Sequence, residues 1–143
     1  MFYGYETATV PAATTEYAGV DTPRAMYDKM LSVWCASSCA PRLRPDWSEQ
    51  NPTLGQCSIT SFLVQDIFGG KVYGVPLAGG GVHCYNDVNG CVFDLTSEQF
   101  GDEKLCYENN PEQFREDHFA DPDKYARYLL IRDRLKAVCE KAE

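Results

Sequence analysis

The stretch Asn51-Pro52-Thr53-Leu54-Gly55-Gln56-Cys57-Ser58-Ile59-Thr60-Ser61-Phe62-Leu63-Val64-Gln65-Asp66 reads as a turn that runs into a helix, with a cysteine at the junction. Pro52 and Gly55 mark the turn, and Thr53 followed three places later by Gln56 has the spacing of a capping box. Ile59, Phe62, Leu63 and Ile67 then recur at helical spacing until Gly69-Gly70 ends the element. A thiol in the first turn of a helix meets unpaired amide N–H groups and the positive end of the peptide dipoles, which favour thiolate over thiol. A cysteine taken alone is more often a small packed apolar residue, so the functional weight falls on its partners.

Those partners come next. Lys71-Val72-Tyr73-Gly74-Val75-Pro76-Leu77 has strand character, and after Gly79-Gly80-Gly81 the runs Val82-His83-Cys84-Tyr85-Asn86-Asp87-Val88 and Cys91-Val92-Phe93-Asp94-Leu95 flank Asn89-Gly90. Asn-Gly suits a type I′ turn, which needs positive φ at both central positions, so the two runs are expected to pair as a hairpin. Counting outwards, Val88 faces Cys91, and 87/92, 86/93, 85/94, 84/95 and 83/96 follow. Alternation of side chains then puts His83, Tyr85, Asp87, Val92 and Asp94 on one face, with His83 and Asp94 as diagonal neighbours. An aspartate between Phe93 and Leu95 runs against both strand propensity and burial. It needs either a partner or a turn to cap.

Cys57, His83 and Asp94 in that order can perform acyl transfer: the imidazole takes and returns a proton at sulfur, and the carboxylate fixes the tautomer and supports the charged ring. A metal or redox site on Cys57, His83, Cys84 and Cys91 is disfavoured, because Cys84 and Cys91 point away from His83 in this register. No metal or other cofactor is expected.

The blocks Asn51-Pro52, Gly55-Gln56-Cys57, Val64-Gln65-Asp66, Phe68-Gly69-Gly70, His83-Cys84-Tyr85-Asn86, Asn89-Gly90, Asp94-Leu95-Thr96 and Gln99-Phe100 together resemble the YunG-like family of small bacterial proteins. The resemblance covers about residues 47 to 100. Through its Cys, His, Asp order that family is similar to the papain-like and transglutaminase-like superfamily. The resemblance implies an α+β fold in which the nucleophile-bearing helix packs on a small antiparallel sheet carrying the histidine and the acid. Papain-like enzymes take an oxyanion donor from an amide side chain six places before the nucleophile, which here is Asn51; Gln56 and Gln65 are alternatives, beside the main-chain N–H of Cys57. The resemblance carries no defined activity.

Outwards from this centre, residues 1 to 20 have no clear period and are expected to form an N-terminal arm, with 21 to 143 as one domain. Thr22-Pro23 starts a helix with Met26, Met30, Val33 and Trp34 as its stripe, ending near Pro41 and placing Cys35 and Cys39 on one face. Trp47 anchors the following connection or lines a pocket, as Tyr85 could. A short helix is expected after Asn110-Pro111. The last helix starts at Asp121-Pro122 with a stripe of Tyr125, Tyr128, Leu129, Leu135 and Val138 interrupted only by Arg132.

Composition limits the remaining options. The 143 residues suffice for one core without disulfides, and 44% hydrophobic with 24% charged residues is ordinary for a globular chain. The net charge of −8 argues against nucleic acid and anionic lipid as partners. No run spans a membrane, the start lacks a signal peptide pattern, and seven cysteines at irregular spacing suit a reducing compartment. A cytoplasmic protein is expected. The leading expectation is a cysteine-dependent amide hydrolase or transamidase acting on a small molecule or peptide. The alternative is a papain-like module that binds a small ligand or protein without turnover; the sequence leaves the oligomeric state open.

Overall fold

A computed structural model describes residues 1–141. The chain is α+β, with a four-stranded antiparallel sheet and several helices. The helices are α1 (Pro23–Met30), α2 (Cys57–Phe68), α3 (Arg115–His118) and α4 (Pro122–Lys141), and the strands are β1 (Lys71–Pro76), β2 (Val82–Val88), β3 (Cys91–Phe93) and β4 (Glu112–Gln113). The sheet order is β3-β2-β1-β4.

Helix α2 is the centre of the molecule. It packs on β2 and β1 on one side and against α4 on the other, and from Ser58 to Val64 every residue is buried. A helix covered on both sides keeps little exposed face, so Ser58, Thr60 and Ser61 are buried with its apolar residues and only Asp66, near its far end, is exposed. Polar groups inside it are paired: Asn86 of β2 donates to the Ser61 carbonyl (2.9 Å), and the Trp34 indole donates to Thr60 Oγ1 (2.9 Å). At its far end Arg115 of α3 bonds Asp66 at 2.8 Å, and its guanidinium lies 5.6 Å from the centre of the Phe62 ring.

The hairpin has the expected register for three pairs, Val88↔Cys91, Asp87↔Val92 and Asn86↔Phe93, with Asn89 and Gly90 at positive φ. Beyond Phe93 it departs from the expectation. Asp94 leaves β2 and bridges to Tyr3 of the N-terminal segment, whose carbonyl accepts the Asp94 N–H. The first residues are therefore part of the fold: Phe2, Ala8, Tyr17 and Val20 are buried in the common core.

Three other expectations are corrected. Helix α1 ends at Met30, not near Pro41; a turn follows, and Cys35 is extended ahead of a single 3₁₀ turn at Ala36–Ser38. Cys35 and Cys39 therefore share no helical face. The capping box at Thr53 and Gln56 does not form, because Gln56 is itself the N-cap residue and its side chain turns inward. On α4 the buried stripe is Arg127, Tyr128, Ile131, Leu135 and Cys139, rotated from the one expected, and Tyr125 is exposed. The short helix expected after Asn110-Pro111 is present as α3, and β4 joins the sheet ahead of it.

Candidate active site

The loop before α2 aims the thiol. Gly55 sits at φ +69°, a left-handed conformation that side chains disfavour, and a Cβ there would lie 2.5 Å from Cys39 Sγ and 2.9 Å from the Ala40 nitrogen. Its carbonyl accepts from Ala40 N–H (3.0 Å) and its N–H donates to Gln99 Oε1 (3.3 Å). This close crossing delivers Cys57 as the first residue of α2. The first helical backbone bond runs from Thr60 N–H to the Gln56 carbonyl, so the N–H groups of Cys57 and Ser58 precede any helical acceptor.

His83 comes from β2 and Asp94 from just beyond β3; each is 1% exposed. His83 Nε2 and Asp94 Oδ2 are 2.6 Å apart. The same Oδ2 accepts from Tyr107 Oη at 2.7 Å, while Oδ1 accepts from the Thr96 N–H (3.1 Å) and Oγ1 (3.3 Å). The two sequence readings of Asp94, partner and turn cap, are thus both fulfilled, one on each oxygen. Phe100 stands edge-on to the imidazole with ring centres 4.7 Å apart. Tyr3 stacks on Tyr107 at 3.9 Å.

With Nε2 occupied by the carboxylate, Nδ1 is the imidazole nitrogen left for the thiol. It is buried with no hydrogen-bond partner of ordinary geometry among the described residues, and Cys57 is the titratable group that meets the ring beside Asp94. Burial opposes charge on both partners, yet their mutual attraction prevails. Against burial, the hydrogen bonds and charges of Asp94 and Cys57 hold His83 up to about 10. Burial alone would push the Cys57 thiol up, but the His83 contact and charge, with the Cys84 N–H, bring it below its ordinary value. The two shifts run in the directions that a thiolate–imidazolium pair requires. Cys84 is a contrast: burial, then the Cys57 charge, hold that thiol protonated.

Cys57, Ser58 and His83 open onto a cavity of about 750 Å³. Its apolar lining comes from Leu43, Leu54, Leu77, Val82 and Phe100, and its charged lining from Arg42, Asp121, Lys124 and Arg127. The remaining sequence candidates lie outside this lining. Gln56 is fully buried, accepting from Ser38 Oγ (2.8 Å) and donating to the Cys35 carbonyl (3.1 Å), which ties the 3₁₀ turn to α2. Asn51 closes a bridge with Ser48, and Gln65 bonds the Gly70 carbonyl at the other end of α2. Trp47 donates to the Pro52 carbonyl and anchors the loop. Tyr85 lines a separate hollow of about 280 Å³ with Tyr73 and Tyr107, behind the acid. Among the described residues no three His, Cys, Asp or Glu side chains converge as a metal set, and no helix is long and apolar enough to cross a membrane.

Sequence reasoning missed Tyr107, Phe100 and the charged wall from α4. Gln99-Phe100 stood within the family blocks, but Tyr107 lies in an irregular acidic segment without a period to place it.

Comparison with known proteins agrees with the sequence blocks. The family model described as YunG protein matches residues 22–140. Over 87 residues the chain is 38% identical to "Uncharacterized protein YunG" of Bacillus subtilis (strain 168), covering 61% of this chain and 72% of that protein. No solved structure matches.

Proposed function

This chain belongs to the YunG family, and on that premise we propose that it is a cysteine-dependent acyl-transfer enzyme of papain-like design, with Cys57, His83 and Asp94 as its triad. The observation that carries the reading is the 2.6 Å bond from His83 Nε2 to Asp94, which leaves Nδ1 to Cys57 at the wall of an open cavity.

The chemistry follows from the arrangement. The Cys57 thiolate attacks the carbonyl carbon of an amide or related acyl group, forming a C–S bond while the C=O π pair moves onto oxygen. The N–H groups of Cys57 and Ser58, at the positive end of α2, are suited to receive that oxyanion, and a donor so placed contributes roughly 10²–10³ in rate. Collapse of the tetrahedral intermediate breaks the C–N bond, and the His83 Nδ1 proton passes to the departing amine. Water or a second amine then attacks the thioester, giving its proton to Nδ1 and returning the thiolate. Asp94 keeps Nε2 protonated and the ring oriented throughout. Phe100 packs edge-on against the imidazole at the cavity wall.

The test is acylation of the intact protein by p-nitrophenyl acetate, read as a mass increase located on Cys57. Acetylation should vanish in Cys57→Ala and fall at least 100-fold in His83→Ala, with the circular dichroism unchanged. Equal labelling of all three proteins rejects the reading.

A further inference from the structure

The cavity is positively charged in a protein that is otherwise acidic. The whole chain carries −8, yet Arg42, Lys124 and Arg127 line this one space with Asp121 as their acidic neighbour. Asp121 is already engaged at the start of α4, where Oδ1 accepts from the Asp123 N–H (3.0 Å) and the Lys124 N–H (3.5 Å).

Lys124 is held there by a defined chain of bonds. Gln113 Oε1 can only accept, so His118 Nε2, 2.9 Å away, carries the proton of that bond. His118 Nδ1 then has a lone pair, and it accepts from Lys124 Nζ at 3.0 Å. Burial and the Lys124 charge lower the pKa of His118, in keeping with a neutral ring. The result is an ammonium fixed at the cavity wall by a neutral acceptor. Among the described residues no carboxylate forms an ion pair with Lys124 or Arg42. Arg127, only 7% exposed, spends Nε on Asp123 (2.8 Å) and Nη1 on the Ser38 carbonyl (3.2 Å), leaving Nη2 outside both bonds. Lys124 and Arg42, which have no ion-pair partner among the described residues, stand with the partly spent Arg127 at the wall of a largely apolar cavity and favour a negatively charged ligand.

We propose that the acyl donor is a small amphiphile whose anionic group, a carboxylate or phosphate, docks on Lys124 with Arg42 and Arg127 while its apolar body lies against Leu43, Leu54, Leu77, Val82 and Phe100. N-acyl amino acids have this chemistry. The proposal rests on the acyl-transfer reading of Cys57, and its test is a binding measurement that does not require turnover.

Cys57→Ala protein is titrated by calorimetry with N-hexanoylglycine, its methyl ester and N-hexanoyl aminomethylphosphonate. At least one anion should bind at least tenfold more tightly than the neutral ester, and the tighter of the two identifies the head group. The preference should disappear in Lys124→Ala and in Lys124→Gln, the second of which keeps a donor for His118 without the charge. Equal affinity for all three ligands overturns the proposal, as does an anion preference that survives both Lys124 substitutions. Anion preference here, combined with failure of p-nitrophenyl acetate to label Cys57 in the native protein, rejects acyl transfer and leaves the anion site standing.

Discussion

His83 Nε2 and Asp94 Oδ2 lie 2.6 Å apart with both side chains 1% exposed, although Asp94 lies just beyond β3 and outside its pairing with β2. The carboxylate gets there because the chain leaves the hairpin after Phe93 and is taken up by Tyr3. Burial makes this contact directional: the imidazole has Nε2 fixed by the carboxylate, and Nδ1 is left buried without a hydrogen-bond partner of ordinary geometry among the described residues.

The first consequence is a thiol that reacts at low pH. Alkylation by iodoacetamide, followed cysteine by cysteine through peptide mass spectrometry, should be fastest at Cys57 and already substantial at pH 6. In His83→Ala the burial that opposes charge is no longer countered, so the rate at pH 6 should drop at least tenfold. A Cys57 profile matching that of exposed Cys106 contradicts the ion pair.

Tyr107 is a positioning residue, acting through Asp94 without touching the cavity. Tyr107→Phe removes one hydrogen bond from the shared Oδ2 and should cost about 1 kcal/mol of stability. It should also lower the pH 6 alkylation rate of Cys57 severalfold, with Asp94→Ala showing a larger loss. A purely structural tyrosine would change stability and leave the alkylation profile in place.

Gln56 separates support from catalysis. Its amide is spent on Ser38 and Cys35, so Gln56→Ala should destabilise by about 2–3 kcal/mol in urea by stranding buried groups. The protein that remains folded should keep the wild-type pH dependence of alkylation. A selective loss of acylation rate at unchanged stability would make Gln56 the oxyanion donor instead.

Local signals carried much of this architecture, and they stop where non-local contacts begin. The turn at Asn89-Gly90, the start of α2 at Cys57 and the helix after Asp121 are written in short-range chemistry, so they were legible. His83 and Asp94 are expected as diagonal neighbours and do meet, although Asp94 reaches the imidazole from beyond β3, where the expected register has already ended. The end of α1 was not: Val33 and Trp34 fit a helical stripe, but both are buried from the turn that follows Met30. Nor was Tyr3 beside Asp94, a contact across most of the chain between a segment without period and an edge strand. The inward turn of Gln56 depends on Ser38, which sequence placed on a helix that does not extend that far.

Gly55→Ala tests the crossing that aims the nucleophile. The substitution adds a Cβ at φ +69° and against Cys39 Sγ and the Ala40 nitrogen, so backbone strain and overlap should cost about 1–3 kcal/mol or more in urea. Unlike Gln56→Ala, it should also slow Cys57 alkylation, because relief requires the first turn of α2 to shift. Stability and alkylation both at wild-type level would mean that the loop is not what positions the thiol.

The charge state of the pair can be read from stability against pH. His83 is held at about 10 against an ordinary 6.5, so its contribution is complete below 6.5 and is lost as pH rises towards 10. Cys57 is lowered from an ordinary value near 9, so its contribution is present above 9 and is lost as pH falls through the depressed value. Between about 6.5 and 9 the two trends cancel, since native and unfolded chains each hold one proton on this pair. The Tm of the wild-type protein should therefore be level over that interval as far as these groups decide it. Cys57→Ala keeps an imidazole raised by Asp94 without the opposing thiol, so its Tm should fall steadily across the same interval. Were the native pair a neutral thiol and a neutral imidazole, both proteins would run level, and parallel Tm curves from pH 6.5 to 9 would exclude the thiolate–imidazolium state.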